Sequence, residues 1–286
     1  MSQGHTRGTS AGLDRGKLRS AIEDAYTDLA LHPHHRFHFV SGPPLAQRLG
    51  YTAQLLEGVP RHALESFAGV GNPFRMDHPA PGEAVLDIGC GSGVDALIAG
   101  RMVGPEGCVT GVDMTPAMVE RAQHCVSVAR ASNVRITWGH AESLPLPDHS
   151  VDYVMSNGVV SLTPDKRDTF REIARVLKPG GRLRVADVVV RWRIPPYLSG
   201  ALDLWTECIA GATWMEDYPT LLREAGFVTP HIAEIFDVFA GTRVEANSSM
   251  FAARGANISA EAPTTDTAQK EKDLWKGKGP WKATGP

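Results

Sequence analysis

Along the middle of the chain, short apolar runs rich in Val and Ile alternate with longer stretches whose apolar residues fall at helical spacing. AVLDIG, CVTGVD, VRITWG, VDYVMSN and RLRVADVVV read as strands, while DALIAGRMV, PAMVERAQHCVSVARA and KRDTFREIARVL between them read as helices. This alternation predicts βαβ units and an α/β fold, a doubly wound, mostly parallel sheet with helices on both faces. LKPGG, from Leu177, predicts a helix stop followed by a left-handed turn. Beyond it, residues 200–227 read as helical, and HIAEIFDVF and SSMFAARG as a last pair of strands.

Ahead of the first strand, a helix is predicted from about Leu18 through AIEDAYTDLAL, ended by Pro33. Further helices are predicted over Pro44 to Leu56 and near Arg61 to Phe67. Residues 18–68 then form a helical cap on a main domain at 69–255, within which 190–230 is an appendage closing a pocket. Residues 1–17 and 256–286 lack periodicity and read as disordered ends. No internal repeat is visible.

Composition narrows the classes. With 42% hydrophobic residues, 21% charged and a net charge of −3, the 286-residue chain advertises neither nucleic acid nor an anionic membrane as a partner. No apolar stretch approaches the length of a spanning helix, and the first residues lack the apolar core of a secretory signal, so a cytoplasmic protein is expected. The four cysteines show no paired spacing and read as free thiols.

The chemistry begins at VLDIGCGSGVD. Gly89, Gly91 and Gly93 follow a predicted strand and precede a predicted helix, where the lack of side chains lets backbone turn sharply against a nucleotide-like ligand. Asp113 ends the next strand, twenty residues after Gly93, where a carboxylate can accept hydrogen bonds from ribose hydroxyls. Asp87 and Asp95 set two acids beside the loop, which suits a ligand with a cationic end better than a pyrophosphate.

Taken together, VLDIGCGSG, GVDMT, GHAESLPLPDHSVDYVMSN and LKPGGRL resemble the class I S-adenosylmethionine (SAM)-dependent methyltransferases over residues 70–190. The resemblance implies that the loop from Gly89 through Cys90, Gly91 and Gly93 faces the methionine and ribose parts of SAM. It implies further that Asp113 holds the ribose hydroxyls, that Met114 packs on the adenine, that Ala141 and Glu142 contact it, and that Asn157, a candidate catalytic residue, lies in the segment lining the methyl end.

A finer resemblance, to arsenite methyltransferases, rests on GVDMTPAMVERA, SNGVVSLTPDKRDTFREIARVLKPGGRL, LWTECIAGA and GVGNP. In that family three cysteines clamp trivalent arsenic. Here Val70 and Gly158 stand at two of those positions and only Cys208 remains, so a three-thiolate clamp cannot form from them. The expected reaction is methyl transfer to a small soft acceptor, arsenite first, with glutathione or another thiol as co-substrate. The alternatives are a thiol, sulfide, selenium or other small organic acceptor, or a non-catalytic SAM-binding or metalloid-binding sensor.

AYTDLA resembles the start of the lid found in SAM methyltransferases of this class, which makes Tyr26, His35 and His38 candidates on the substrate side, one His serving as a general base. His34 and His38 are four apart in HPHHRFHF, but the run reads as part of the cap and no metal is expected. Trp205 and Trp214 flank Cys208 and can wall off water or cup a sulfonium. The Lys- and Trp-bearing tail is assigned no function, and the sequence is silent on oligomeric state.

Overall fold

A computed structural model describes residues 14–37, 39–198 and 200–264. Its centre is the predicted alternation: β1 (Ala84–Ile88), α4 (Val94–Val103), β2 (Cys108–Asp113), α5 (Pro116–Ala129), β3 (Val134–Trp138), β4 (Val151–Asn157), α6 (Lys166–Val176) and β5 (Leu177–Val190). These follow α1 (Arg15–Leu31), α2 (Pro43–Arg48) and α3 (Arg61–Glu65); after them come α7 (Leu202–Thr206), β6 (Thr213–Trp214), α8 (Tyr218–Glu224), β7 (Val228–Phe236), α9 (Glu245–Met250) and β8 (Arg254–Glu261).

The strands run β3-β2-β1-β4-β5-β8-β7, with β6 paired to the end of β5. The first five are parallel, and β8 is antiparallel to both its neighbours. This is the class I, Rossmann-like arrangement. Its strand order reverses between β1 and β4, and in open α/β sheets the carboxyl ends of strands at such a point form a crevice for ligands. The central strands β1, β4 and β5 are dry on both faces: Val85, Tyr153, Met155 and Val188 pack on one side, Leu86, Val154, Phe170 and Val185 on the other. That explains strands that read as continuous apolar runs rather than alternating ones.

Several boundaries differ from the expectation. The first helix starts at Arg15, inside the stretch read as disordered, because Asp14 caps it by accepting from the amides of Gly16 and Lys17. The helix expected over Pro44 to Leu56 stops at Arg48, and Gly50 then takes φ +80°, a left-handed turn. The helix expected over 200–227 is broken into α7 and α8. Cys208 sits at φ +61°, and Gly211 packs so tightly that a Cβ there would strike Ser161 and Trp205. Of the proposed appendage, only α7 and the turn after it lie toward the pocket; Tyr218 and Leu222 of α8 are core residues on the opposite face.

SSMFAARG is a strand only at its end. Ser248 to Met250 end α9, while Arg254 and Gly255 open the last strand, which runs on to Glu261, past the boundary at which the tail was expected to become disordered. GANISA has little apolar contrast, yet it is buried between β5 and β7, so its strand character comes from its neighbours. Residues 1–13 and the Lys- and Trp-bearing residues 265–286 lie outside the described residues. No helix among the described residues is long and apolar enough to cross a membrane.

Candidate functional site

β1 delivers the chain into Gly89-Cys90-Gly91-Ser92-Gly93 at the switch point, beneath a cavity of about 1000 Å³ that counts its open mouth. Volumes of this order accommodate a nucleoside with a side arm. Gly89 and Gly91 take φ of +66° and +50°, and a Cβ on Gly89 would collide with Val159. The Gly91 amide donates to Asp113 Oδ2 at 2.9 Å, and the Thr115 amide donates to its Oδ1 at 2.9 Å. Asp113 is thus fixed at the end of β2, each oxygen keeping a lone pair for an incoming hydroxyl.

Nine of the ten expected cofactor residues line this cavity: Asp87, Gly89, Cys90, Gly91, Asp113, Met114, Ala141, Glu142 and Asn157. Gly93 does not. At φ +88° it caps α4, and its α-carbon faces Ala122, so it sets the contact between α4 and α5 rather than a ligand contact.

The cavity is acidic. Asp87, Asp95, Asp113 and Glu142 line it, and Arg19 of α1 is the one Lys or Arg side chain among its lining residues. Asp87 is buried, and its Oδ2 has no hydrogen-bond partner among the described residues. Burial, then Asp95, then Asp113 push its carboxyl well above the usual carboxylate range. Asp95 accepts from Tyr51 Oη at 2.7 Å and from Asn157 Nδ2 at 3.1 Å, yet burial still raises it to about 6. A cation brought among these groups recovers the cost of burying them.

A pH dependence follows. Asp95 must be ionised to attract a cation, so the affinity for a cationic cofactor is expected to fall as pH drops through about 6, by up to about tenfold per pH unit for one such group. Calorimetric titration between pH 5 and 8 checks this; an affinity that rises on acidification would sink it.

Arg19 was not singled out in the sequence. Its guanidinium reaches Glu142 at 3.3 Å, and Arg15 reaches Asp165 at 3.1 Å, so two ion pairs hold the start of α1 over the cavity rim. No local signal marks these arginines, because their partners are more than a hundred residues away.

Asn157 borders the cavity, but its amide is spent on the protein. Oδ1 accepts from the amides of Val70 and Gly71 at 2.8 and 3.2 Å, while Nδ2 donates to Tyr51 Oη, the Gly71 carbonyl and Asp95 Oδ2 at 3.0, 3.0 and 3.1 Å. It ties the Gly69–Gly71 loop to α4 and is a positioning residue, not the catalytic group expected of it.

A second chamber of about 480 Å³ shares Tyr26, Ala68 and Gly69 with the first. Its wall is mostly apolar: Phe39, Val40, Leu45, Val70, Val238, Phe239 and Val244, with Cys208, Glu207, Thr206 and Thr242 as the polar exceptions. Val70 and Cys208 therefore meet here, and Gly158 abuts Val70, whose Cγ1 lies 3.4 Å from where a Cβ on Gly158 would be. Burial and the nearby Asp187 push the Cys208 thiol up to about 12, so at neutral pH it is protonated. No other thiol joins it: Cys90 lines the first cavity, Cys125 is buried on α5 and Cys108 is exposed.

Tyr26 lies between the two spaces, with its hydroxyl raised well above its ordinary range by burial, Cys208 and Asp113. His35 is exposed, pairs with Asp28 and lines neither cavity, and His38 lies outside the described residues. Neither flanking tryptophan lines either chamber. Trp205 is core with Lys166 above it, and Trp214 carries Arg193 at 3.8 Å.

A family model described as "Methyltransferase domain" matches residues 79–226. The arsenite methyltransferase of Halobacterium salinarum is 43% identical over 188 residues, 66% of this chain and 48% of that protein. The human arsenite methyltransferase is 33% identical over 192 residues, 61% of this chain and 51% of that one. The chain spans about half the length of these curated relatives. Among solved structures, an arsenic(III) S-adenosylmethionine methyltransferase of Chlamydomonas reinhardtii superposes with a TM-score of 0.64 at 36% identity, covering 78% of this chain and 75% of that one.

Proposed function

The chain belongs to the methyltransferase-domain family, and within it we propose that this protein transfers the methyl group of SAM to a small soft acceptor, trivalent arsenic first, in the cytoplasm. The observation that carries the reading is a pair of adjoining chambers: one holds a glycine loop ringed by buried acids, the other holds Cys208, and Tyr26, Ala68 and Gly69 line both. The relatives whose names refer to arsenic support the choice of acceptor.

The residues fit the cofactor. The unpartnered oxygen of Asp87 and the raised carboxyl of Asp95 suit an ammonium beside a sulfonium, and Asp113 suits ribose hydroxyls. Met114 and Ala141 offer the adenine an apolar seat. When bound, SAM supplies a methyl group already activated by its sulfonium, so the chain's work is alignment and exclusion of water. Tyr26 lines both chambers, and Asn157 holds the Gly69–Gly71 loop in register.

On the acceptor side, the protonated Cys208 can exchange onto an arsenic–glutathione adduct. One As–S bond breaks as another forms, and the thiol proton leaves on the released glutathione. One protein thiol plus borrowed ones then presents the arsenic lone pair to the methyl group. The apolar wall favours one alternative, a thiol or selenol with an organic substituent, in which Phe39, Val70 and Phe239 pack on the substituent.

The deciding assay follows label from SAM to arsenite with glutathione, beside thiols, sulfide and selenite, in wild type and Cys208→Ala. Methylated arsenic from wild type, lost in the variant while SAM affinity holds, is the expected result. Label on a thiol or selenium only would move the protein to that sister activity. No turnover on any acceptor would favour a SAM- or metalloid-binding protein without catalysis.

A further inference from the structure

The last turn of α1 carries a cluster outside the machinery described above. Asp28, His32 and His35 follow one another at intervals of four and three, on the helix end and the turn that leaves it. The His32 amide closes the helix on the Asp28 carbonyl at 2.7 Å, and the His35 amide donates to the His32 carbonyl at 2.9 Å. The backbone thus presents all three side chains on one side.

We propose that Asp28, His32 and His35 bind a divalent transition-metal ion of the zinc class. The three donor atoms lie within 4.8 Å of one another. Nδ1 of His32 is 2.9 Å from Asp28 Oδ1, and Nδ1 of His35 is 3.1 Å from that same oxygen. Donors about 2.0–2.2 Å from one ion stand roughly 3–3.5 Å apart, so both nitrogen–oxygen spacings match those of ligands sharing an ion, and the two imidazoles, stacked at 4.6 Å, need only turn about their side-chain bonds to aim at it. Two imidazoles and a carboxylate are the donor set that zinc, cobalt and nickel prefer over calcium or magnesium. Both histidines are exposed, leaving the remaining coordination positions to water.

The cluster also has something to act on. The chain leaving His35 runs into Phe37 and Phe39, which stack at 5.3 Å, and Phe39 stacks on Tyr26 of α1 at 5.9 Å. Tyr26 and Phe39 both wall the second chamber. A metal bridging the last turn of α1 and the following turn staples these two walls together. The inference holds whether or not the chamber takes arsenic.

The test uses the full chain and zinc alone. Calorimetry at pH 7.5 is expected to show one saturable site, weakened roughly tenfold or more in His32→Ala/His35→Ala and in Asp28→Asn. Zinc is expected to raise the melting temperature of wild type and to leave that of the variants where it is, while SAM affinity persists in all three. Cobalt in place of zinc is expected to give visible d–d bands without thiolate charge transfer, which separates this site from the exposed Cys108. Affinity unchanged in the double variant, a thiolate band in the cobalt spectrum, or no saturable binding below about 1 mM would each overturn the proposal.

Discussion

Asp87→Asn is expected to bind SAM roughly 10- to 100-fold more weakly and yet to fold more stably than wild type at neutral pH. The first effect comes from the unpartnered Oδ2 of a buried carboxylate facing the cavity. A charge-assisted hydrogen bond from an ammonium to such a group contributes about 1.5–3 kcal/mol, and an amide of the same shape keeps only the neutral part. The second effect comes from burial and from Asp95 and Asp113, which raise the Asp87 carboxyl well above its ordinary range.

The sign follows from that direction. A carboxyl with a raised folded-state pKa contributes stability that is fully present below its unfolded value and lost as pH rises through the folded one. Asparagine is neutral at every pH, so the gain over wild type is expected to be absent near pH 4 and to grow toward pH 8. Paired calorimetry and thermal melts across that range check both halves. Unchanged SAM affinity would make Asp87 a purely structural acid and place the cofactor's cation elsewhere.

Asn157→Ala is expected to cost on the order of 2–4 kcal/mol of stability and to damage the acceptor side more than the cofactor side. The alanine removes five hydrogen bonds at once and leaves the amides of Val70 and Gly71 without their acceptor. Asn157→Asp separates the two consequences: it keeps an acceptor for the loop amides but sets a second carboxylate beside Asp95, so the loop holds while the local acid is pushed up further. Urea unfolding with a split of acceptor KM from SAM affinity reads both. A loss below about 1 kcal/mol with both constants unchanged would show that the knot is dispensable.

These two residues also show where reading from sequence succeeds and fails. Asp87 is legible because its meaning is local: a carboxylate at the end of a buried strand, two residues before glycines that must turn, whatever the rest of the chain does. Asn157 is legible as a position but not as a role. Its partners at Tyr51, Gly71 and Asp95 come from three distant segments, and only packing shows that its amide is already used. The helix read over 200–227 fails for a related reason, since apolar periodicity cannot reveal that Gly211 must fit against Ser161 and Trp205.

By itself the sequence determined the strand–helix alternation, the glycine turn, the acids Asp87, Asp95 and Asp113 beside it, and that Val70 and Gly158 carry no thiol, because each is written in neighbouring residues or in side-chain chemistry that no fold can add. Only the tertiary structure decided that Val70 and Cys208 share one chamber with Tyr26, that Arg19 of the first helix closes over Glu142, and that the last strand is built from GANISA. Those outcomes depend on burial and long-range pairing, where a residue's surroundings, rather than its own propensity, set its state.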